Sequence, residues 1–191
     1  MQPQEDKSAL YKQLIQDCLR QKRESQYRLY NLLSGKMFAV CLRYCNDREA
    51  AEDVLQEGFV KVFQHLEKFR GEGSFEGWVR RIFINTAVEH FRKSNRLKTD
   101  LSLDTVEMYA EAYKVSDALE LEDLMKFIQK LSPGYRTVFN MYVIEGYSHK
   151  EISEMLEISE GTSKSQLARA RYLLQKMVID SNKLPVNNAS V

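Results

Sequence analysis

The sequence predicts an all-α protein. Two small helical domains are joined by an acidic, flexible linker, and the C-terminal one contains a helix-turn-helix. Three observations carry this expectation. Helix formers dominate, the 191 residues hold only 8 glycines and 3 prolines, and no regular apolar–polar alternation marks a strand. Apolar residues instead recur at helical spacing in one stretch after another. Between them, Lys98 to about Ser116 carries Asp100, Asp104, Glu107 and Glu111 with little apolar periodicity, which is spacer composition. The expected division is therefore 8–97, a linker at 98–116, and 117–179.

Taken in order, residues 1–7 are polar and expected to fray. From Ser8 to about Lys22, Leu10, Leu14, Cys18 and Leu19 form a narrow apolar stripe. A second helix is expected over about Glu24–Tyr44, with Tyr27, Tyr30, Leu33, Met37, Val40, Cys41 and Tyr44 inward. Asn46-Asp47 marks a bend, and Asp47 suits the cap of a third helix reaching Leu66. In that helix Val54, Phe59, Val62, Phe63 and Leu66 are core material, while Glu49, Glu52, Asp53, Gln56 and Glu57 crowd the other side. Acids near a helix N-terminus gain from its dipole, which accounts for one or two of them. Five on one side also suit a docking face for a basic partner.

Lys68 to Gly73 reads as a loop with two glycines, after which Ser74 can cap a helix running to about Arg96. Phe75, Val79, Ile82 and Phe83 should face the core. A separate stripe holds Trp78, Arg81, Asn85, Arg92 and Arg96, with Glu89 at its edge. An indole offers a stacking surface, an amide can read a base edge, and guanidinium groups follow phosphates, so the stripe suits single-stranded nucleic acid. An ordinary core tryptophan beside solvated arginines fits the same spacing. After the linker, a helix is expected from near Asp117, striped by Leu121, Leu124, Ile128 and Leu131. Ser132-Pro133-Gly134 breaks it, and a further helix over Tyr135–Ile144 buries Val138, Phe139, Tyr142 and Val143.

The run from Tyr147 to Met177, YSHKEISEMLEISEGTSKSQLARARYLLQKM, reads as two helices around a tight bend. Ser148 and Glu151 form a capping box, Ile152 and Leu156 face inward, and Ser159 can cap the second helix. There Leu167, Ala170, Leu174 and Met177 recur at core spacing. Gly161, Thr162, Ser165, Ala168, Arg169, Tyr172 and Lys176 lie opposite, flanked by Lys164 and Arg171, and no acid occurs from Gly161 to Lys176. This is the layout of a helix-turn-helix DNA reader, although a plain helical hairpin with a basic face shares it. After Ile179 the tail is polar and expected to be disordered.

Composition narrows the function classes. The net charge of +1 conceals segregated charges. No apolar run could span a bilayer and no signal-peptide pattern opens the chain, so a cytoplasmic protein is expected. Cys18, Cys41 and Cys45 cannot build a disulfide framework, and the three histidines lie at no ligand-like spacing from them. Buried thiols are expected, with no metal and no cofactor. Nothing matches a phosphate-binding glycine loop, a metalloprotease motif or a nucleophile elbow, so no catalytic residue and no enzyme is expected.

Three stretches in order carry a resemblance: EDVLQEGFVKVF at 52–63, FEGWVRRIFINTAVEHFRK at 75–93, and LSPGYRTVFNMYVIEGYSHKEISEMLEISEGTSKSQLARAR at 131–171. Together they resemble the extracytoplasmic-function sigma factors of bacterial RNA polymerase, in phrasing that looks like the Bacteroidetes branch. The resemblance covers nearly everything from Glu24 to Met177. It implies a factor that directs core polymerase to promoters and assists their opening. The face of Glu49, Glu52, Asp53, Gln56 and Glu57 would dock on the clamp coiled coil of the largest polymerase subunit. Phe69, Arg70, Trp78, Arg81, Asn85, Arg92 and Arg96 would serve the minus-ten element, capturing a flipped base and the opened strand. Thr162, Lys164, Ser165, Gln166, Arg169 and Arg171 would meet duplex DNA at the minus-thirty-five element. The linker would thread through polymerase towards the active site and RNA exit path. Core polymerase and promoter DNA are the implied partners, with a membrane-linked anti-sigma factor as an optional third.

Departures from the family pattern are Ser163 for a usual Val, expected to loosen its helix slightly, Gln166 for a common Arg, and Glu89 for a usual Asp. Two rivals stand beside this reading. A repressor-like factor using only the helix-turn-helix would leave the acidic helix and the Trp78 stripe unexplained. The second is an adaptor or enzyme whose helices bind only protein, and the missing catalytic constellation argues against an enzyme.

Overall fold

In the computed structural model residues 3–96 and 121–183 are described, and among them all regular structure is helical. Two compact units result, Met1–Lys93 and Ser94–Val191. The expected linker, the start of a helix near Asp117 and the polar tail beyond Lys183 lie outside the described residues.

The first unit is built from α1 (Pro3–Leu19), α2 (Arg23–Tyr44), α3 (Arg48–His65) and α4 (Phe75–Arg96). α1 begins five residues earlier than expected, at Pro3, a residue suited to a first helical position. It packs through Tyr11, Leu14 and Cys18. Leu19, expected inward, is half exposed where the chain turns away through Gln21 at φ 58°. α2 buries Leu29, Leu33, Met37, Val40, Cys41 and Tyr44. Two expected core residues stand elsewhere: Tyr27 is 69% exposed, and Tyr30 lies at the rim with its ring 4.5 Å from Phe59. Leu29 takes the inward place, one turn before Leu33 on the same buried face.

Asp47 caps α3 by accepting from the Ala50 amide at 2.8 Å. α3 buries Val54, Phe59 and Val62 as expected and also Ala51, Leu55 and Gly58, whereas Phe63 is only half-buried. Leu66 closes the core in a short 3-10 turn, Leu66–Lys68. Ser74 caps α4 through the Gly77 amide at 3.3 Å. α4 buries Phe75, Val79 and Phe83, and further Ile84, Ala87 and Val88, while Ile82 is half-buried.

The second unit contains α5 (Leu121–Lys130), α6 (Pro133–Phe139), α7 (His149–Leu156) and α8 (Glu160–Lys183). Ile128 and Leu131 are buried and Leu124 half-buried. α6 starts at Pro133 and runs into a π-helical turn, Asn140–Ile144, in which the Glu145 amide donates to the Asn140 carbonyl at 3.0 Å. That wider turn displaces the expected inward pattern. Asn140 and Met141 are buried, Tyr142 is half-buried, and Val143 is 47% exposed instead of buried. α8 continues four residues past Ile179 and packs through Ser163, Leu167, Ala170, Leu174 and Val178, with Met177 half-buried.

Candidate nucleic-acid interface

Local chemistry sets up the reading helix. The Ser148 hydroxyl accepts from the Glu151 amide at 3.2 Å while Glu151 Oε2 accepts from the Ser148 amide at 2.8 Å, starting α7. Glu157 then adopts the left-handed conformation at φ 56°, ψ 43°, which turns the chain. Ser159 caps α8, its hydroxyl accepting from the Thr162 amide at 2.9 Å. Lys164, Ser165 and Arg171 are exposed, and Thr162 and Arg169 half-buried. Arg169 holds its guanidinium 5.2 Å from the Tyr172 ring centre, and Arg171 lies 5.8 Å from that of Tyr142. Lys164 reaches Glu160 only at 3.8 Å and stays 63% exposed, free to meet a phosphate.

Gln166 behaves differently from its neighbours. It is half-buried with its amide against Gly134, where a Cβ would sit 3.6 Å from it. Ser163 faces the core as expected, but its hydroxyl has a partner: His149 Nδ1 lies 2.9 Å away. The His149 ring in turn stacks on Tyr142 at 4.4 Å and 24°. Ser163 therefore ties α7 to α8, where looseness was expected.

In the first unit the Trp78 stripe joins an aromatic cluster. The half-buried Trp78 stacks on Phe75 at 5.8 Å and 21°, and Phe69 lies 5.6 Å from Trp78 and 5.1 Å from Phe75. Arg70 is exposed on the loop, which turns through Gly71 at φ 79° and Gly73 at φ 82°. Arg81 and Asn85 are exposed on the same stripe and Arg92 is half-buried. The Arg96 side chain lies outside the described residues. The cluster thus offers a partly open indole at the head of a polar, basic helix face, suited to stacking on an unpaired base. The pattern did not disclose what stands behind it: Tyr11 donates to Glu76 Oε1 at 2.6 Å, and Lys36 to Glu76 Oε2 at 2.8 Å.

On α3, Glu49, Glu52, Asp53 and Gln56 are exposed and Glu57 is half-buried. Glu52 pairs with Arg48 at 2.7 Å, and Lys61 bridges Glu57 at 2.8 Å and Glu89 at 2.7 Å. The hydrogen bond from Lys61 holds the Glu57 carboxyl below the usual carboxylate range, against a smaller opposing effect of burial. Val60, 54% exposed, adds an apolar patch one turn beyond Gln56. Sequence reasoning missed it, although its spacing from Asp53 and Gln56 puts it on their face.

Cys18, Cys41 and Cys45 are buried free thiols, and burial pushes Cys18 up to about 11 and Cys41 up to about 12. Among the described residues no three His, Cys, Asp or Glu side chains converge on a metal position, and no helix is long and apolar enough to cross a membrane.

Comparison with known proteins bears on both units. A family described as Sigma-70 region 2 matches residues 29–97, and one described as Sigma-70, region 4 matches 121–174. The ECF RNA polymerase sigma factor SigW of Bacillus subtilis (strain 168) is 30% identical over 167 residues, covering 80% of this chain and 88% of that protein. The RNA polymerase sigma-H factor of Pseudomonas aeruginosa is 29% identical over 153 residues, covering 74% and 79%. A solved complex of the sigma factor RpoE with the anti-sigma factor NepR from Bartonella quintana aligns at TM-score 0.49 and 23% identity, over 82% of this chain and 98% of that one.

Proposed function

The chain belongs to the extracytoplasmic-function sigma factors of bacterial RNA polymerase, and we propose that three of its surfaces divide promoter recognition between them. It is a transcription initiation factor that brings core polymerase to promoter DNA. In the division we propose, Glu49, Glu52, Asp53, Gln56 and Glu57, with Val60 among them, form the docking face for polymerase. Phe69, Arg70, Trp78, Arg81, Asn85, Arg92 and Arg96 take the minus-ten strand. Thr162, Lys164, Ser165, Gln166, Arg169 and Arg171 address the duplex at the minus-thirty-five element, Gln166 after leaving Gly134. The boundaries are 8–97, 98–116 and 117–179.

One observation carries the division: a half-buried tryptophan stacked on Phe75 heads a stripe with exposed Arg81 and Asn85, on a different unit from the duplex-reading helix. A repressor needs only the second of these surfaces. No catalytic role is assigned, and the site of action is the cytoplasm, where polymerase works. The phrasing of the sequence resembles the Bacteroidetes branch, and a membrane-linked anti-sigma factor enters as a partner through the family alone.

The test is run-off transcription with core polymerase on random promoter fragments. Defined start sites that need both proteins are expected. Sequence-specific DNA binding that is indifferent to core polymerase, with no transcription, would overturn the reading in favour of a repressor.

A further inference from the structure

We propose that Glu76 is a positioning residue for strand capture. Gripped by Tyr11 of α1 and Lys36 of α2, it fixes the start of α4 and so holds Phe69, Phe75 and Trp78 in the arrangement that receives an unstacked base. This rests on the reading of Trp78 given above.

Both oxygens of the Glu76 carboxylate take a donor from another helix, Tyr11 at 2.6 Å and Lys36 at 2.8 Å. A carboxylate in the first turn of a helix is favourable without any partner. Two donors, 65 and 40 residues away in sequence, go beyond that. Burial, reinforced by the Glu76 hydrogen bond, raises the Tyr11 hydroxyl, so it keeps the proton it donates. The hydroxyl contact sets the Tyr11 ring, which lies 5.3 Å from Phe75. Phe75 in turn touches both Trp78 and Phe69, which also touch each other.

The loop between Phe69 and Phe75 contains two glycines at positive φ, so its backbone contributes little stiffness. Its geometry is set at its ends, and Tyr11 stands behind one of them. The Lys36–Glu76 pair is half exposed on the lysine side and of small value to stability by itself. Its value lies in place. A stacking surface that is already ordered binds with a smaller entropic cost. Loss of the grip should therefore weaken the state in which a base is stacked and spare attachment to duplex DNA.

The experiment uses the full chain with core polymerase on a promoter fragment recovered from random-fragment transcription. The variants are Tyr11→Ala, Tyr11→Phe, Glu76→Ala, Glu76→Gln and Trp78→Ala. Permanganate reactivity of the minus-ten strand reads opening, and retention on duplex at low temperature reads the closed complex. Tyr11→Ala and Glu76→Ala should lower opening by about fivefold to thirtyfold. Glu76→Gln, which keeps an acceptor for the Tyr11 hydroxyl, should recover most of it, whereas Tyr11→Phe, which keeps the ring beside Phe75 but loses the hydroxyl that grips Glu76, should fall with the alanine variants. Closed-complex formation should stay within about twofold throughout. On a fragment already mismatched over the minus-ten element the deficit should shrink, because the unpairing cost is gone. If Trp78→Ala opens like wild type, strand capture by Trp78 is wrong and the proposal falls with it. If Trp78→Ala is impaired but the Tyr11 and Glu76 variants open normally, capture stands and the positioning role is overturned. A deficit equal in closed and open complex that persists on the mismatched fragment marks loss of fold and likewise overturns it.

Discussion

Gly58 lies on α3 directly beneath the Phe83 ring, and a Cβ there would collide with the ring. Gly35 on α2 has open space around its missing Cβ. The two should respond oppositely to alanine. Gly58→Ala forces a buried aromatic off its rotamer and should cost about 1–3 kcal/mol. Gly35→Ala removes unfolded-state freedom in a helix and should add up to about 1 kcal/mol. Urea unfolding of the two variants checks both signs, and equal effects would refute the packing account. On α8 the proposed roles separate in the same way. Arg169→Ala should cost about 1–3 kcal/mol and relax specificity at one base position. Lys164→Ala should weaken binding to every sequence and lower the salt slope by about one ion. Filter binding of the polymerase complex across a salt series distinguishes them. Unchanged promoter occupancy in both variants would remove α8 from the groove.

At the scale of the element, α3 carries the most direct test of docking. Asp53 and Gln56 are exposed and Glu57 half-buried, on the side away from the buried Phe59. Asp53→Lys with Glu57→Lys sets like charge against a basic partner, a mismatch worth several kcal/mol, about two decades or more in affinity. Glu57→Lys breaks the pair with Lys61 and sets like charge one turn away, but Lys61 keeps Glu89, so the fold should persist with a loss of about 1 kcal/mol. Pull-down of core polymerase should fail while circular dichroism stays helical. Wild-type pull-down by the double variant would move the docking face elsewhere. The joint between α7 and α8 belongs to this scale too. Its part-buried Ser163–His149 contact fixes how one helix presents the other, and deleting His149 leaves the buried Ser163 hydroxyl unsatisfied.

Across the molecule, what was legible in the sequence follows the range of the interaction. The caps at Asp47, Ser74, Ser148 and Ser159 are all present because capping is settled within three residues. The direction of Ser163 followed from helical period alone, but its partner, fourteen residues away, did not. Tyr27 fell outside the buried row of Leu29, Leu33 and Met37 because its aromatic character, and not its helical phase, had placed it inward. Val143 left the core because a π turn has no compositional mark. The Glu76 grip was invisible, since its partners stand 65 and 40 positions off. One property of the whole chain has a practical use. Among 191 residues there is a single tryptophan, and it is Trp78, half-buried against Phe69 and Phe75. All indole emission of the protein therefore originates at the proposed strand-capture surface. A short single-stranded oligonucleotide added with core polymerase should quench that emission through stacking, whereas duplex bound at α8 should leave it unchanged. Excited selectively at its red edge, and with a polymerase-only control subtracted, the native protein becomes an optical reporter of strand opening that needs no dye and no labelling site.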